Sequence, residues 1–330
     1  MIQSPPHCQD IAALTLNPSV DISYEVDQLV PDQKTSATAT RYDPGGNGIN
    51  VARVLKKLLV CAHSCCVVAG NVGELLQQLL LHQLDSPHCT PVMGETRINV
   101  TILQQQPSQQ LEITAAGPRI SAIALESITQ TFLDLSHGGY GIVTGSVPPG
   151  VPEDIYGALT DKIQSAGGKA IVDAHGALLA KAISHRPFLI KPNRYELSLL
   201  CGKDLPTLES VVFEAQNLRR QGVQYICVSL GADGALLVGP EGSYIARAPA
   251  VTVRSTVGAG DSMVAGLVAG FAQGKHPSEA LRLGVACGSA TAMQPGTALA
   301  TRNDVITLLQ EVDVQVFAPD STNKENLSYE

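Results

Sequence analysis

No run of apolar residues in this 330-residue chain reaches the roughly eighteen needed to cross a bilayer, although 44% of the residues are hydrophobic. No membrane span is expected. The opening M-I-Q-S-P-P-H-C-Q-D lacks the basic and apolar regions of a secretory signal, which points to the cytoplasm. An excess of positive charge is missing too. A net charge of −8 argues against a broad nucleic-acid surface and leaves any phosphate ligand to be met by local lysines and arginines. The eight cysteines, Cys8, Cys61, Cys65, Cys66, Cys89, Cys201, Cys227 and Cys287, contain no C-x-x-C pair of a zinc site. Cys61, His63, Cys65 and Cys66 do cluster, but they run into V-V-A and read as a strand. There is no G-x-x-x-x-G-K-[ST] signature, no G-x-G-x-x-G fingerprint and no tandem repeat, which excludes the P-loop and dinucleotide-binding routes to phosphate.

What the chain does have is glycine at strand-to-helix junctions, at 45–48, 145–150, 231–234 and 258–260. Ser255–Ala269, S-T-V-G-A-G-D-S-M-V-A-G-L-V-A, joins such a turn to an apolar helix, so backbone N–H groups at its start can approach an anion. Asp261 stands beside that hole, either as a cap that favours the helix dipole or as a reactive carboxylate. The run I-A-A-L-T-L from Ile11 reads as a strand broken by Asn17 and Pro18, which leaves Asp21 near its ligand-binding end. Residues 22–42 read as two extended strands, and Glu95–Leu103 with Leu111–Thr114 as a hairpin; together they form a small lid sheet. P-G-G-N-G-I-N from Pro44 turns into a helix with Asn50 in its first turns. Beyond Ser121 strands and helices alternate as in a parallel sheet covered on both faces, its strand ends carrying Ser146, Lys191, Asn193, Glu196, Ser229 and Gly231 to one rim. Asn193 and Glu196, three apart, also fit a helix cap with its N3 partner. Arg97 is either a solvated strand arginine or a two-donor phosphate clamp. The polar end of the chain, 318–330, is expected to be a mobile tail.

Six ordered stretches carry a resemblance: L-T-L-N-P-S-V-D from Leu14, P-G-G-N-G-I-N-V-A-R from Pro44, T-G-S-V-P-P-G-V from Thr144, I-K-P-N-R-Y-E-L from Ile190, V-S-L-G-A-D-G-A-L from Val228 and S-T-V-G-A-G-D-S-M-V from Ser255. Across residues 11–312 the chain resembles the ribokinase-like PfkB carbohydrate kinases, in the phosphosugar branch that holds the minor-type 6-phosphofructokinases, 1-phosphofructokinases and tagatose-6-phosphate kinases. The resemblance implies a single domain over 1–330: a three-layer α/β/α sandwich with a mostly parallel sheet and a small β-sheet lid. It implies ATP and magnesium as cofactors, with a potassium ion beside Ser255 and Val257 compatible, and a homodimer formed through the lid.

On this resemblance Asp261 is the general base, with the N–H groups of Gly258, Ala259 and Gly260 holding developing charge. Asn193 and Glu196 order magnesium, partly through water, and Lys191, Ser229, Gly231, Gly234 and Thr256 lie on the nucleotide side. Asp21, Gly45, Gly46 and Asn50 line the sugar site, with Lys34, Arg97 and Ser146 near the sugar's own phosphate. Two departures stand out. Ser36 sits where minor-type 6-phosphofructokinases carry arginine, and Asn47 where other branches carry glycine or lysine. P-G-G-x-G-I-N-V-A-R and M-Q-P-G-T from Met293 favour fructose 6-phosphate, with fructose 1-phosphate and tagatose 6-phosphate as alternatives. A sugar-phosphate-binding regulator without catalysis is a further alternative.

Overall fold

The computed structural model describes residues 10–317, so the expected tail at 318–330 lies outside the described residues. The chain begins with β1 (Ile11–Thr15), β2 (Ser19–Val26), β3 (Ala39–Gly45), α1 (Asn47–Lys57), β4 (His63–Val68), α2 (Gly70–Gln83) and β5 (Pro87–Pro91). It continues through β6 (Arg97–Gln104), β7 (Gln109–Ile113), α3 (Ala122–Leu135), β8 (Tyr140–Thr144), α4 (Ile155–Ser165), β9 (Lys169–Asp173), α5 (Gly176–Ile183) and β10 (Leu189–Ile190). The last part holds α6 (Arg194–Cys201), α7 (Leu208–Arg220), β11 (Tyr225–Ser229), β12 (Ala235–Gly239), β13 (Gly242–Arg247), α8 (Ala259–Ala272), α9 (Pro277–Ala292), α10 (Arg302–Leu309) and β14 (Asp313–Val316).

Ten strands form the main sheet in the order β14-β13-β12-β11-β10-β9-β8-β1-β4-β5. Its strands are parallel from β11 to β5 and antiparallel from β11 out to β14. The regular alternation expected after Ser121 therefore ends in a meander, and β14 at the edge has no counterpart in the sequence reading. Because successive side chains of a strand point to opposite faces, the sheet feeds two cores. Ile11, Ala13, Tyr140, Ile142 and Ile171 pack with α1, α8, α9 and α10, while Ala12, Leu14, Val143, Ala170 and Val172 pack with α3 to α7. This is the three-layer sandwich expected.

Helix α8 is apolar nearly all round because it packs between α1 and α9 and buries most of its length, and a helix buried on all sides loses its polar face. Where α8 crosses α9 a Cβ on Gly266 would lie 2.7 Å from the Cα of Gly284, so glycine is what lets the two helices approach. Ser262 and Thr291 hydrogen-bond across the same pair at 2.7 Å.

The second sheet, β3-β2-β6-β7, is the lid. Strands β2 and β3 bracket an exposed loop at 27–38, and β6 lies parallel to β2. Register sorts its side chains into two faces. The row Tyr42, Ile22, Val100, Ile113 crosses all four strands on one face, and its neighbours Asp43, Asp21 and Asn99 lie on the other. The first face is left partly open, with Tyr42 48% and Ile113 61% exposed; the second turns to the main sheet and buries Asp43.

Candidate active site

The corner built by the start of α8 is set by Gly258, whose φ of 75° is the left-handed region that glycine adopts without strain. A Cβ there would also meet Leu299 at 2.7 Å. The turn lets the first N–H groups of α8 face outward as helix ends do, and the N–H of Ala259 makes only a long bond, 3.3 Å, to the carbonyl of Thr256. Gly260 has no side chain to separate the helix start from Lys191, whose Nζ would lie 3.3 Å from a Cβ at that position. The Lys191 ammonium is buried and 3.1 Å from Asp173 Oδ1 at the end of β9. Burial works most strongly against its charge, but Asp173 together with Cys227 and Glu196 outweighs it, and the ammonium is held above the ordinary lysine value.

Asp261 is buried in the first turn of α8 and carries an amide on each oxygen. Asn47 Nδ2 donates to Oδ1 at 2.8 Å, and Asn50 Nδ2 donates to Oδ2 at 2.9 Å, both from the first turn of α1. Burial first, and then the Asp173 carboxylate, push its pKa up to about 6, while the two amides and Lys191 oppose the rise. A carboxyl so poised exchanges a proton near neutral pH, which is what a general base requires.

Asn50 is itself oriented from behind. Arg53, one turn on, donates to Asn50 Oδ1 at 3.0 Å and to Asp43 Oδ1 at 3.3 Å, and Asp43 Oδ2 accepts from Thr297 at 2.7 Å. A continuous polar path thus links the lid strand β3 to the carboxylate on α8.

On the lid side the structure brings Asp21, Gly45, Gly46, Asn50 and Ser146 together and leaves Lys34 apart. Asp21 lies over Gly45, where a Cβ would be 2.3 Å from its carboxylate, and accepts from Ser19 at 2.6 Å and Asn99 at 3.0 Å. Burial raises its pKa against those two bonds. Gly46, at φ 123°, caps α1. Ser146 Oγ accepts from Asn17 Nδ2 at 3.0 Å. Arg97 is half-buried at the start of β6 and spends its guanidinium on main-chain carbonyls, two bonds to Asn17 at 2.7 and 3.1 Å and one to Ala115 at 3.3 Å. Lys34, like Ser36, is exposed on the 27–38 loop.

On the other side of α8 a cleft of about 690 Å³ contains Ser229, Gly231, Gly234 and Thr256 together with Ala259 and Gly260. Its walls are largely aliphatic, with Val251, Met263 and Val285 among them. A flat apolar slot that ends at a helix N-terminus suits a base at one end and phosphates at the other. Asn193 and Glu196 stand beside this cleft, since Asn193 bridges to Ser229. They form a capping box on α6: Asn193 Oδ1 accepts from the Glu196 N–H and Glu196 Oε2 from the Asn193 N–H, both at 2.8 Å. The cap engages the amide oxygen and leaves Glu196 a second carboxylate oxygen. No group of three or more His, Cys, Asp or Glu side chains is arranged as a metal cage among the described residues. This donor set fits magnesium, which is commonly held by one or two carboxylates, water and substrate phosphates.

The sequence reading passed over Asp173, Asn99, Asp43 and Arg53, and noted Asn47 only as a departure. Asp173 could have been found as a carboxylate closing the strand K-A-I-V-D. Asn99, Asp43 and Arg53 depend on register across the lid and on its docking, which no local pattern announces.

Taken together, an α/β sandwich with a lid, a helix start built for anions and a carboxylate poised between an apolar cleft and the lid define a sugar kinase that transfers phosphate to a hydroxyl. The chain belongs to the pfkB family of carbohydrate kinases, whose profile matches residues 14–304. It is 36% identical over 305 residues to the 1-phosphofructokinase of Bacillus subtilis strain 168, covering 92% of this chain and 99% of that protein. It is 34% identical over 297 residues to the ATP-dependent 6-phosphofructokinase isozyme 2 of Mycobacterium tuberculosis strain H37Rv, covering 89% and 87%. Phosphofructokinase-2 of Escherichia coli in complex with substrates and products superposes with a TM-score of 0.88 at 32% identity, covering 91% of this chain and 98% of that one; the same protein has been solved with potassium and as a tetrameric inhibited form. The kinase is thus of the ATP-dependent phosphofructokinase type.

Proposed function

We propose that the protein phosphorylates fructose 6-phosphate with ATP to give fructose 1,6-bisphosphate. The observation that carries this reading is the position of Asp261, at the start of α8 between the apolar cleft and the polar face of the lid. A nucleotide seated in the cleft would bring its terminal phosphate to Ala259 and Gly260, which belong to both cleft and helix start. Asp21 and the Asp43–Arg53–Asn50 path support a sugar on the lid side. In this reading Asp261 accepts the proton of the acceptor hydroxyl, the first N–H groups of α8 stabilise charge on the transferred group, and Lys191 adds a fixed positive charge. Magnesium would neutralise phosphate charge beside Glu196, with Asn193 keeping the cap that aims Glu196. The potassium found with Escherichia coli phosphofructokinase-2 makes the loop around Ser255 and Val257 the place to look for a monovalent ion here.

Fructose 6-phosphate is preferred on the P-G-G-x-G-I-N-V-A-R and M-Q-P-G-T stretches. The 36% identity to a 1-phosphofructokinase supports fructose 1-phosphate as the second reading. Both yield the same bisphosphate, so the test is a panel of fructose 6-phosphate, fructose 1-phosphate and tagatose 6-phosphate assayed with ATP for kcat/KM. A preference for either other sugar overturns the first choice. The general-base assignment has its own test: Asp261→Asn is expected to lower kcat by a factor on the order of 10²–10⁴, and near-wild-type turnover would refute it.

We also infer a homodimer through the lid. The support is the apolar outer face carrying Tyr42, Ile98, Leu111 and Ile113, since soluble chains seldom leave such a patch uncovered.

A further inference from the structure

The two amides on Asp261 are not equivalent. Asn50 is buried, tied to Arg53, and holds the inner oxygen Oδ2. Asn47, the first residue of α1, is exposed as a whole, yet its Nδ2 reaches Oδ1 at 2.8 Å. Its carbonyl end lies over Gly145, where a Cβ would meet Asn47 Oδ1 at 2.7 Å; the φ of 85° at Gly145 and the lack of a side chain there make the space. The Asn47 side chain therefore spans from the end of β8, next to Ser146, to the oxygen of Asp261 nearer the opening. Neither capping nor packing explains this reach: α1 has no side-chain cap bond, and an exposed asparagine contributes little to a core.

We propose that Asn47 is a positioning residue for phosphoryl transfer, holding the outer carboxylate oxygen of Asp261 toward the sugar pocket in its ionised form. The proposal rests on the functional reading above. The charged groups that face Asp261 are Asp173 from the end of β9 and Lys191 from the end of β10, with Arg53 of α1 behind Asn50; α9 contributes Thr291, which bonds the adjacent Ser262. None of these groups is changed in the test, so a shift reads the contribution of Asn47. An amide N–H on a carboxylate favours the charged form, and an ammonium in its place favours that form more strongly. The two substitutions Asn47→Ala and Asn47→Lys consequently act in opposite directions. A wild-type base near 6 gives kcat/KM an acid limb at that pH, with activity lost as the pH falls through it. Asn47→Ala moves the limb up by about one unit, so its loss of kcat/KM is about tenfold larger at pH 5 than above pH 8. Asn47→Lys moves the limb down.

The experiment is the pH profile of kcat/KM for wild type and both variants. It is paired with a ¹³C titration of the Asp261 carboxyl in aspartate-labelled protein, assigned by the peak lost in Asp261→Asn. Opposite displacements of the limb, matched by the carbon titration, are the expected result. An acid limb that neither variant moves, or a carbon titration unmoved by Asn47→Ala, overturns the role of Asn47. Retained turnover in Asp261→Asn would instead strike the base itself, and the carbon titration, which needs no turnover, keeps the two failures apart.

Discussion

The two halves of the site are made differently. On the α8 side the working groups are backbone: a left-handed Gly258, a helix start, and a Gly260 that leaves room for Lys191. On the lid side they are side chains in a buried network, Asp21 with Ser19 and Asn99, and Asp43 with Arg41, Arg53 and Thr297. A backbone site tolerates change in any residue that keeps the turn, whereas a side-chain network fails when one member is lost, because its partners are left buried and unpaired. In the proposed reading the phosphoryl group meets the backbone half and the acceptor sugar meets the network half.

The largest effect is expected for Asp43→Ala. It strands Arg53, whose side chain is 3% exposed, and loss of one partner of a buried pair costs about 3–5 kcal/mol. Denaturant unfolding is expected to show that loss, together with a fall in kcat as Asn50 loses its anchor. Unchanged stability would mean that the lid network is ornamental and that the backbone half alone organises the site.

The same contrast separates what the sequence makes legible from what only the fold creates. The glycine junctions, the strand ends and Asp261 were legible because each is a local pattern: a turn residue beside an apolar run of the right period. The lid strands and the rim holding Ser229 and Gly231 followed from them, while the three-layer sandwich and the grouping of Gly234 and Thr256 with that rim came from the family resemblance. Asp43, Arg53 and Asn99 were not legible, because a polar residue in a lid strand is inward or outward only once register and docking are known. Arg97 was read both as a strand arginine and as a phosphate clamp, and its guanidinium donates to the carbonyls of Asn17 and Ala115, which only the docked lid brings to it. The capping box at Asn193 and Glu196 was read both as a cap and as a metal site. The cap is made, and its geometry leaves Glu196 an oxygen for the second role.

A smaller effect is expected on the outer face of the lid, where the proposed dimer contact can be broken without touching the inner network. Ile113 sits on β7, 61% exposed, in the row shared with Tyr42, Ile22 and Val100. Ile113→Glu would bury an unpaired carboxylate in the contact, at a cost on the order of 3 kcal/mol, about a hundredfold in dissociation constant. Light scattering after size exclusion at micromolar concentration should show dimer for the wild type and monomer for the variant. A wild-type monomer would mean that the apolar face serves some other purpose.

The smallest effect is expected at Lys34, and there the comparison meets its most direct challenge. The resemblance places this lysine near the sugar phosphate, which would make it part of the lid's side-chain machinery. The structure puts it on the exposed 27–38 loop, outside the network that holds Asp21 and Asp43. A solvated ion pair is worth about 0–1 kcal/mol, so Lys34→Ala should raise KM for the phosphosugar no more than about fivefold and leave kcat unchanged. The increase should shrink further in 0.5 M salt, which screens exposed pairs. A rise of a hundredfold that salt does not erase would mean that the loop folds over bound sugar and buries the lysine against its phosphate. The lid would then extend its side-chain site only when occupied, and the division drawn here between a backbone half and a network half would hold for the free enzyme alone.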